Sequence, residues 1–144
     1  MTNLETVKAI YEAFGRGDVS DILARVSDDV SWEEWATPGR AQELIPYLRP
    51  RNGRPNVAGF FGDVAATLEF HSFEPVGFFE SRDHVLVRIR FDATIRTTGR
   101  RFQDEEIHLW GFDKSGRVAE FRHYVDTLKH VEALTRSEAR NATR

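Results

Sequence analysis

The chain has 144 residues, no cysteine, a net charge of −3 and ordinary shares of apolar and charged side chains. That length suits one domain with a single buried core, and the composition excludes wholesale disorder. The small, mixed charge offers nucleic acid no basic stripe, disulfide and thiolate chemistry are impossible, and no apolar run reaches the length of a membrane span.

Met1 leads straight into a polar helical pattern, without a charged segment followed by an apolar run, so the expected location is cytoplasmic. Thr2-Asn3-Leu4-Glu5 reads as a capping box. Val7, Ile10, Tyr11 and Phe14 follow at helical spacing, one face of a helix that ends near Gly15 to Gly17. Asp18 caps a second, short helix that turns Ile22, Leu23 and Val26 inward. Asp28-Asp29 reads as a turn and residues 30–35 as a first strand. Residues 36–55 hold four of the five prolines and four arginines, the composition of a long irregular loop.

Asn56 is expected to cap a third helix with Val57, Phe60, Phe61, Val64 and Leu68 on its inward face. The period then changes to alternation, predicting strands over residues 68–79, 84–97, 101–113 and 117–126. Turn signals separate them at Arg82-Asp83, Thr98-Gly99 and Lys114-Ser115-Gly116. A brief helix from Thr127 to Leu134 completes a single domain over residues 1–134, and the polar residues 135–144 are expected to fray. Helices early and antiparallel strands late imply an α+β fold. Its strongly curved antiparallel or mixed sheet wraps three helices of the N-terminal half and encloses an apolar cavity.

Strand parity decides which side chains meet in such a cavity. On the first strand Trp32 and Glu34 share one face, and Glu33 and Trp35 the other. Asp104, Glu106, His108, Trp110 and Phe112 share a face of the fourth strand, and Phe121, His123 and Val125 a face of the last. Phe14, Phe60, Phe61 and Val64 from the helices, with Val87 and Ile89 from the third strand, complete the expected substrate-binding wall. Eleven Phe and three Trp either fill a core or line a pocket for a flat apolar ligand.

Carboxylates and imidazoles in apolar surroundings are the groups whose pKa values move toward neutrality for proton transfer. Glu34, beside Trp32 and Trp35, is the first candidate base. Asp104 and Glu106 also fit ion-pair partners of arginines, and His108, between Ile107 and Leu109, also fits a hydrogen-bonded interior histidine. Glu106-x-His108 offers two same-face metal ligands, but the sequence reveals no third, and neither a metal nor another cofactor is expected. No glycine-rich phosphate loop or serine nucleophile elbow occurs. Arg40, Arg49, Arg51 and Arg54 either hold an anionic substrate at the pocket mouth or are solvated.

Several runs resemble the nuclear transport factor 2-like superfamily, and within it the SnoaL-like branch related to ketosteroid isomerase. They are Ile10-Tyr11-Glu12-Ala13-Phe14-x-x-Gly17-Asp18, Asp28-Asp29-Val30-x-Trp32-Glu33 and Gly59-Phe60-Phe61, with Gly99-Arg100-x-Phe102, His108-x-x-x-Phe112, Gly116-Arg117-Val118 and Arg122-x-Tyr124-x-Asp126-Thr127. The likeness spans residues 4–134. It implies a cone-shaped, cystatin-like α+β barrel with Trp32, Phe61, Trp110, Phe121 and His123 on its concave face. It also implies a homodimer formed through the outer sheet face, where Arg122 and Tyr124 sit.

The isomerase base corresponds to Glu34, the protonated acid of its oxyanion hole to His108, and its helix-one tyrosine to Ile10, one place before Tyr11. The expected catalytic set is therefore Glu34, His108, His123 and Tyr11. They would perform acid–base chemistry (isomerisation, cyclisation or dehydration) on a hydrophobic carbonyl-type or epoxide-type molecule. The alternative is a non-catalytic binding protein or dimeric adaptor for a small apolar or polycyclic metabolite. Neither reading involves nucleic acid or membrane.

Overall fold

A computed structural model of the chain describes residues 1–37 and 39–135, so the tail expected to fray lies, beyond Thr135, outside the described residues. Helix α1 (Asn3–Gly15) starts at the expected capping box, with Thr2 accepting from the Glu5 N–H and the Glu5 carboxylate accepting from the Thr2 N–H. Asp18 caps α2 (Val19–Leu23) by accepting from the Asp21 N–H. Strand β1 covers Val26–Trp32, beginning and ending earlier than the sequence pattern predicts. Asp28 and Asp29 are exposed residues within β1, where the register with β5 slips between Val26 and Ser31. A bulge and a turn favour the same residue types, which is why the pair reads as a turn.

The long loop is partly ordered as α3 (Arg40–Leu44) and a 3-10 turn (Pro46–Leu48) that buries Tyr47 and Leu48. It runs along β1: the Asn52 side chain accepts from the Trp32 N–H, the Arg51 N–H donates to the Trp32 carbonyl, and the Gly53 N–H to that of Val30. The free edge of β1 is thereby covered, which removes a site for unwanted strand pairing. Helix α4 (Arg54–Thr67) starts before the expected cap at Asn56, because Gly53 takes the cap position with φ of 87° and Pro55 fits the first turn. Asn56 instead donates from Nδ2 to the Asn52 carbonyl.

Strands β2 (Leu68–Ser81), β3 (His84–Ile95), β4 (Arg101–Phe112) and β5 (Val118–Tyr124) form the expected meander. The sheet order is β1-β5-β4-β3-β2, parallel only between β1 and β5. Register slips after Phe70 and Pro75 in β2 and after Gly111 in β4 add twist, and the sheet curves without closing. Pro75 is tolerated because β2 is an edge strand. Helices α1, α2 and α4 occupy the concave side, and α5 (Thr127–Thr135) packs against β4 and α3. Trp32, fully buried, stacks on Phe121 with ring centroids 4.3 Å apart, joining β1 to β5 from inside. No helix among the described residues is long and apolar enough to cross a membrane.

Candidate functional site

Between the helices and the concave sheet face lies a cavity of about 60 Å³. Its wall takes Tyr11 and Phe14 from α1, Trp32 from β1, Phe60, Phe61 and Val64 from α4, and Trp110 and Phe121 from the sheet. Polar side chains reach it at Glu106, His108, His123, His130 and Tyr47. Val87 and Ile89, expected on this wall, are fully buried in the core without lining the cavity, because α1 packs across β3. The volume holds a few water molecules, so a polycyclic ligand requires the aromatic walls to move.

One directed chain of hydrogen bonds crosses the wall. Trp110 Nε1–H donates to the Tyr11 hydroxyl at 2.9 Å, Tyr11 lies 2.6 Å from His108 Nδ1, and His108 Nε2 lies 2.8 Å from Glu106 Oε1. A carboxylate only accepts, so the neutral ring carries its proton on Nε2 and presents Nδ1 to the Tyr11 O–H. Burial lowers the His108 pKa below the usual imidazole value, against the opposing pull of Glu106. Burial raises the Glu106 carboxyl, but the His108 hydrogen bond and the surrounding imidazoles outweigh it and leave its pKa low. Burial also drives the Tyr11 phenol well up, despite the Trp110 hydrogen bond. Near neutral pH the chain is therefore indole, phenol, neutral imidazole, carboxylate.

Glu34, the first candidate base in the sequence, lies outside this cavity. It is exposed, and its carboxylate accepts from the Ser31 hydroxyl at 3.2 Å. The reason is local: β1 ends at Trp32, and Glu33 adopts φ of 58°, a left-handed conformation rare for a residue with a long side chain. Alternation breaks there, so Trp32 and Glu33 both turn inward and Glu34 outward. Glu33 is fully buried, and its Oε1 accepts from the His123 backbone N–H at 2.7 Å. Its Oε2 lies 3.1 Å from His123 Nδ1, off the line of a hydrogen bond. Burial disfavours a charged His123, but the charge of Glu33 outweighs it and raises the His123 pKa. His108 and His123, with ring centroids 5.7 Å apart, are thus shifted in opposite directions.

The sequence reading did not include a second tyrosine–histidine–carboxylate unit. His130, on the inward face of α5, is fully buried, with Nε2 2.7 Å from Asp104 and Nδ1 2.6 Å from the Tyr47 hydroxyl. Burial pushes the Asp104 carboxyl up, but His130 outweighs this and holds it low. The signals were a histidine on an amphipathic helix and a lone tyrosine in a proline-rich loop, and only tertiary packing joins them. Tyr47→Phe strands His130 Nδ1, and the expected cost is about 1–3 kcal/mol in a urea unfolding midpoint shift.

Asp104, Glu106 and His130 bring donor atoms within 4.8 Å of one another, a grouping that takes its imidazole from α5 and leaves out His108, the partner of Glu106 in the sequence pattern. In this arrangement His130 Nε2 is committed to Asp104 and Glu106 to His108, and the Lys129 ammonium stands 3.7 Å from Asp104. The loop arginines do not line the cavity. Arg51 pairs with Asp63 at 2.6 Å, Arg40 with Glu43, Arg54 with Asp28, and Arg49 donates to the Glu43 carbonyl. Arg122 and Tyr124 face away from the cavity, where both pack on Trp35.

No curated protein matches the chain. Among solved structures, it is similar to a nuclear transport factor 2-like protein of unknown function from Burkholderia pseudomallei. The two share 28% identity with a TM-score of 0.79, over 92% of this chain and 97% of that one. A nuclear transport factor 2-like protein from Burkholderia xenovorans is also 28% identical, with a TM-score of 0.78 over 92% and 95% of the two chains. A SnoaL-like polyketide cyclase candidate from Mesorhizobium loti shares the fold at 22% identity and a TM-score of 0.67, over 86% and 99%. Residues 7–121 match the SnoaL-like domain family, and the chain belongs to that family within the nuclear transport factor 2-like superfamily.

Proposed function

We propose that the protein is an enzyme that moves protons on a small hydrophobic carbonyl compound, with Tyr11, His108 and Glu106 as the base unit and His123 as the acid. The observation that carries this reading is the directed chain from Trp110 through Tyr11 and His108 to Glu106, opening on an aromatic cavity. A C–H next to the substrate carbonyl gives its proton to the Tyr11 oxygen while the Tyr11 proton moves to His108 Nδ1. The electron pair left on carbon passes into the carbonyl, forming an enolate, and the new imidazolium is held by the Glu106 carboxylate. A concerted transfer suits a phenol whose pKa is too high for a free phenolate.

His123, whose pKa is raised, supplies the complementary proton. Two groups in one cavity pushed apart in pKa are the arrangement that assigns base and acid. Return of the proton at another carbon gives isomerisation, enolate attack on a second carbonyl gives cyclisation, and loss of a β-hydroxyl gives dehydration. Cyclisation, the activity ascribed to the Mesorhizobium loti polyketide cyclase candidate, lies within this range.

The test uses small cyclic ketones, enones and hydroxyketones in D2O, with NMR reading deuterium entry beside the carbonyl. The native protein is expected to accelerate entry for at least one compound, and Tyr11→Phe to lose about 10²-fold of that rate. Ligand-induced shifts without deuterium entry for every compound would instead favour the binding protein.

A further inference from the structure

We propose that Asp104 is the proton exit of this site, the group through which the buried Glu106–His108 pair exchanges protons with solvent behind the cavity. The inference takes its purpose from the acid–base reading above, while its geometry stands independently. A base inside an aromatic cavity must release each proton it does not return to product, and a bound substrate blocks the route by which it entered. Asp104 sits two residues before Glu106 on the same inward face of β4. Its nearest carboxylate oxygen lies no more than 4.8 Å from that of Glu106, a gap that one water molecule or a carboxyl rotation spans.

Asp104 faces both ways. Its Oδ2 meets His130, which lines the cavity, while its Oδ1 meets Lys129, whose side chain is 44% exposed. Together Asp104 and Lys129 line a surface depression of about 480 Å³ shared with residues of β2 and β3. Within the described residues, the titratable side chains run from Tyr11 to His108, Glu106 and Asp104, with direct hydrogen bonds as far as Glu106, and Asp104 meets the surface through its 3.7 Å ion pair with Lys129. Each step moves only a proton. The His108 imidazolium formed when Nδ1 accepts a proton through Tyr11 gives its Nε2 proton to Glu106, the resulting Glu106 carboxyl gives it to the Asp104 carboxylate, and Asp104 gives it to water in the depression. The resting tautomer returns when a solvent proton travels the same route back to Nε2 and Nδ1 releases its own proton through Tyr11 to water in the emptied cavity. His130 is a positioning residue: with Tyr47 behind it, it fixes the carboxylate between the two compartments.

The experiment needs no substrate. In protein labelled with 15N-histidine, NMR measures the solvent exchange rate of the His108 Nε2 proton. Native protein is expected to exchange this buried proton much faster than core amides. Asp104→Asn, whose amide oxygen still accepts from His130, is expected to slow it at least tenfold, and Asp104→Glu to restore it. If Asp104→Asn does not fold, His130→Gln serves instead, and loss of the clamp is expected to slow exchange in the same way. Native exchange as slow as core amides overturns the proposal. So does a native-like rate in the folded variant, since protons then leave by the cavity mouth. A failed search for deuterium entry into carbonyl compounds leaves this result standing, and a negative result here leaves the carbonyl chemistry to its own test.

Discussion

Glu106→Gln is expected to lower turnover by about 10²–10⁴-fold while leaving ligand affinity unchanged. The substitution keeps size and an oxygen that accepts from His108 Nε2–H, so the imidazole retains its tautomer and orientation. What disappears is the negative charge that stabilises the imidazolium formed when His108 accepts a proton. That charge matters in the transition state and little in substrate binding, so the loss falls on kcat. The pH profile supplies a second reading. The base works as neutral imidazole, so activity rises with pH through a His108 pKa already held below the usual value by burial. Removing Glu106 takes away the influence that opposes burial, and the acid limb is expected to move to still lower pH while the plateau falls. A variant with full kcat, or with an acid limb moved upward, would remove Glu106 from the mechanism.

Much of this site was legible in the sequence because β4 and β5 are regular. Glu106, His108 and Trp110 alternate without interruption over β4, and Phe121 and His123 over β5, so period-two parity was enough to turn them inward together. Tyr11 was legible as a residue of the α1 face, and its hydroxyl reaches His108 across the cavity. Parity failed at Glu34 because it assumes an extended backbone, and Glu33 leaves that conformation one residue after β1 ends. His130 and Tyr47 are separated by 83 residues and meet only after α5 folds back beneath the loop. Local pattern carries no information about such a meeting. The fold class followed from the order of helices and long strands, whereas the ordering of the loop along β1 depends on backbone hydrogen bonds that no residue type announces.

Glu33→Ala is expected to be the most destabilising single change at the site, at about 3–5 kcal/mol, or roughly 10–20 °C in Tm for a domain of this size. The fully buried carboxylate serves two groups at once: the backbone N–H of His123 and the His123 ring. Alanine leaves the first without an acceptor and the second without its counter-charge. Glu33→Gln separates the two, because the amide oxygen still accepts from the N–H while the charge is gone. The sign of the pH dependence then identifies the charge contribution. In the native protein the His123 pKa is raised, so its contribution is fully present below about pH 6.5, the unfolded imidazole value, and is lost as pH rises through the higher folded value. In Glu33→Gln burial is opposed only by the smaller pull of the Glu106 charge and drives that pKa below the unfolded value, so the His123 contribution should increase with pH instead. Urea midpoints at about pH 6 and pH 8.5 should therefore lie further apart between native and Glu33→Gln proteins at the lower pH. An equal gap at both values would mean that Glu33 supports His123 through the backbone bond alone, and would deprive the proposed acid of the charge that keeps it protonated.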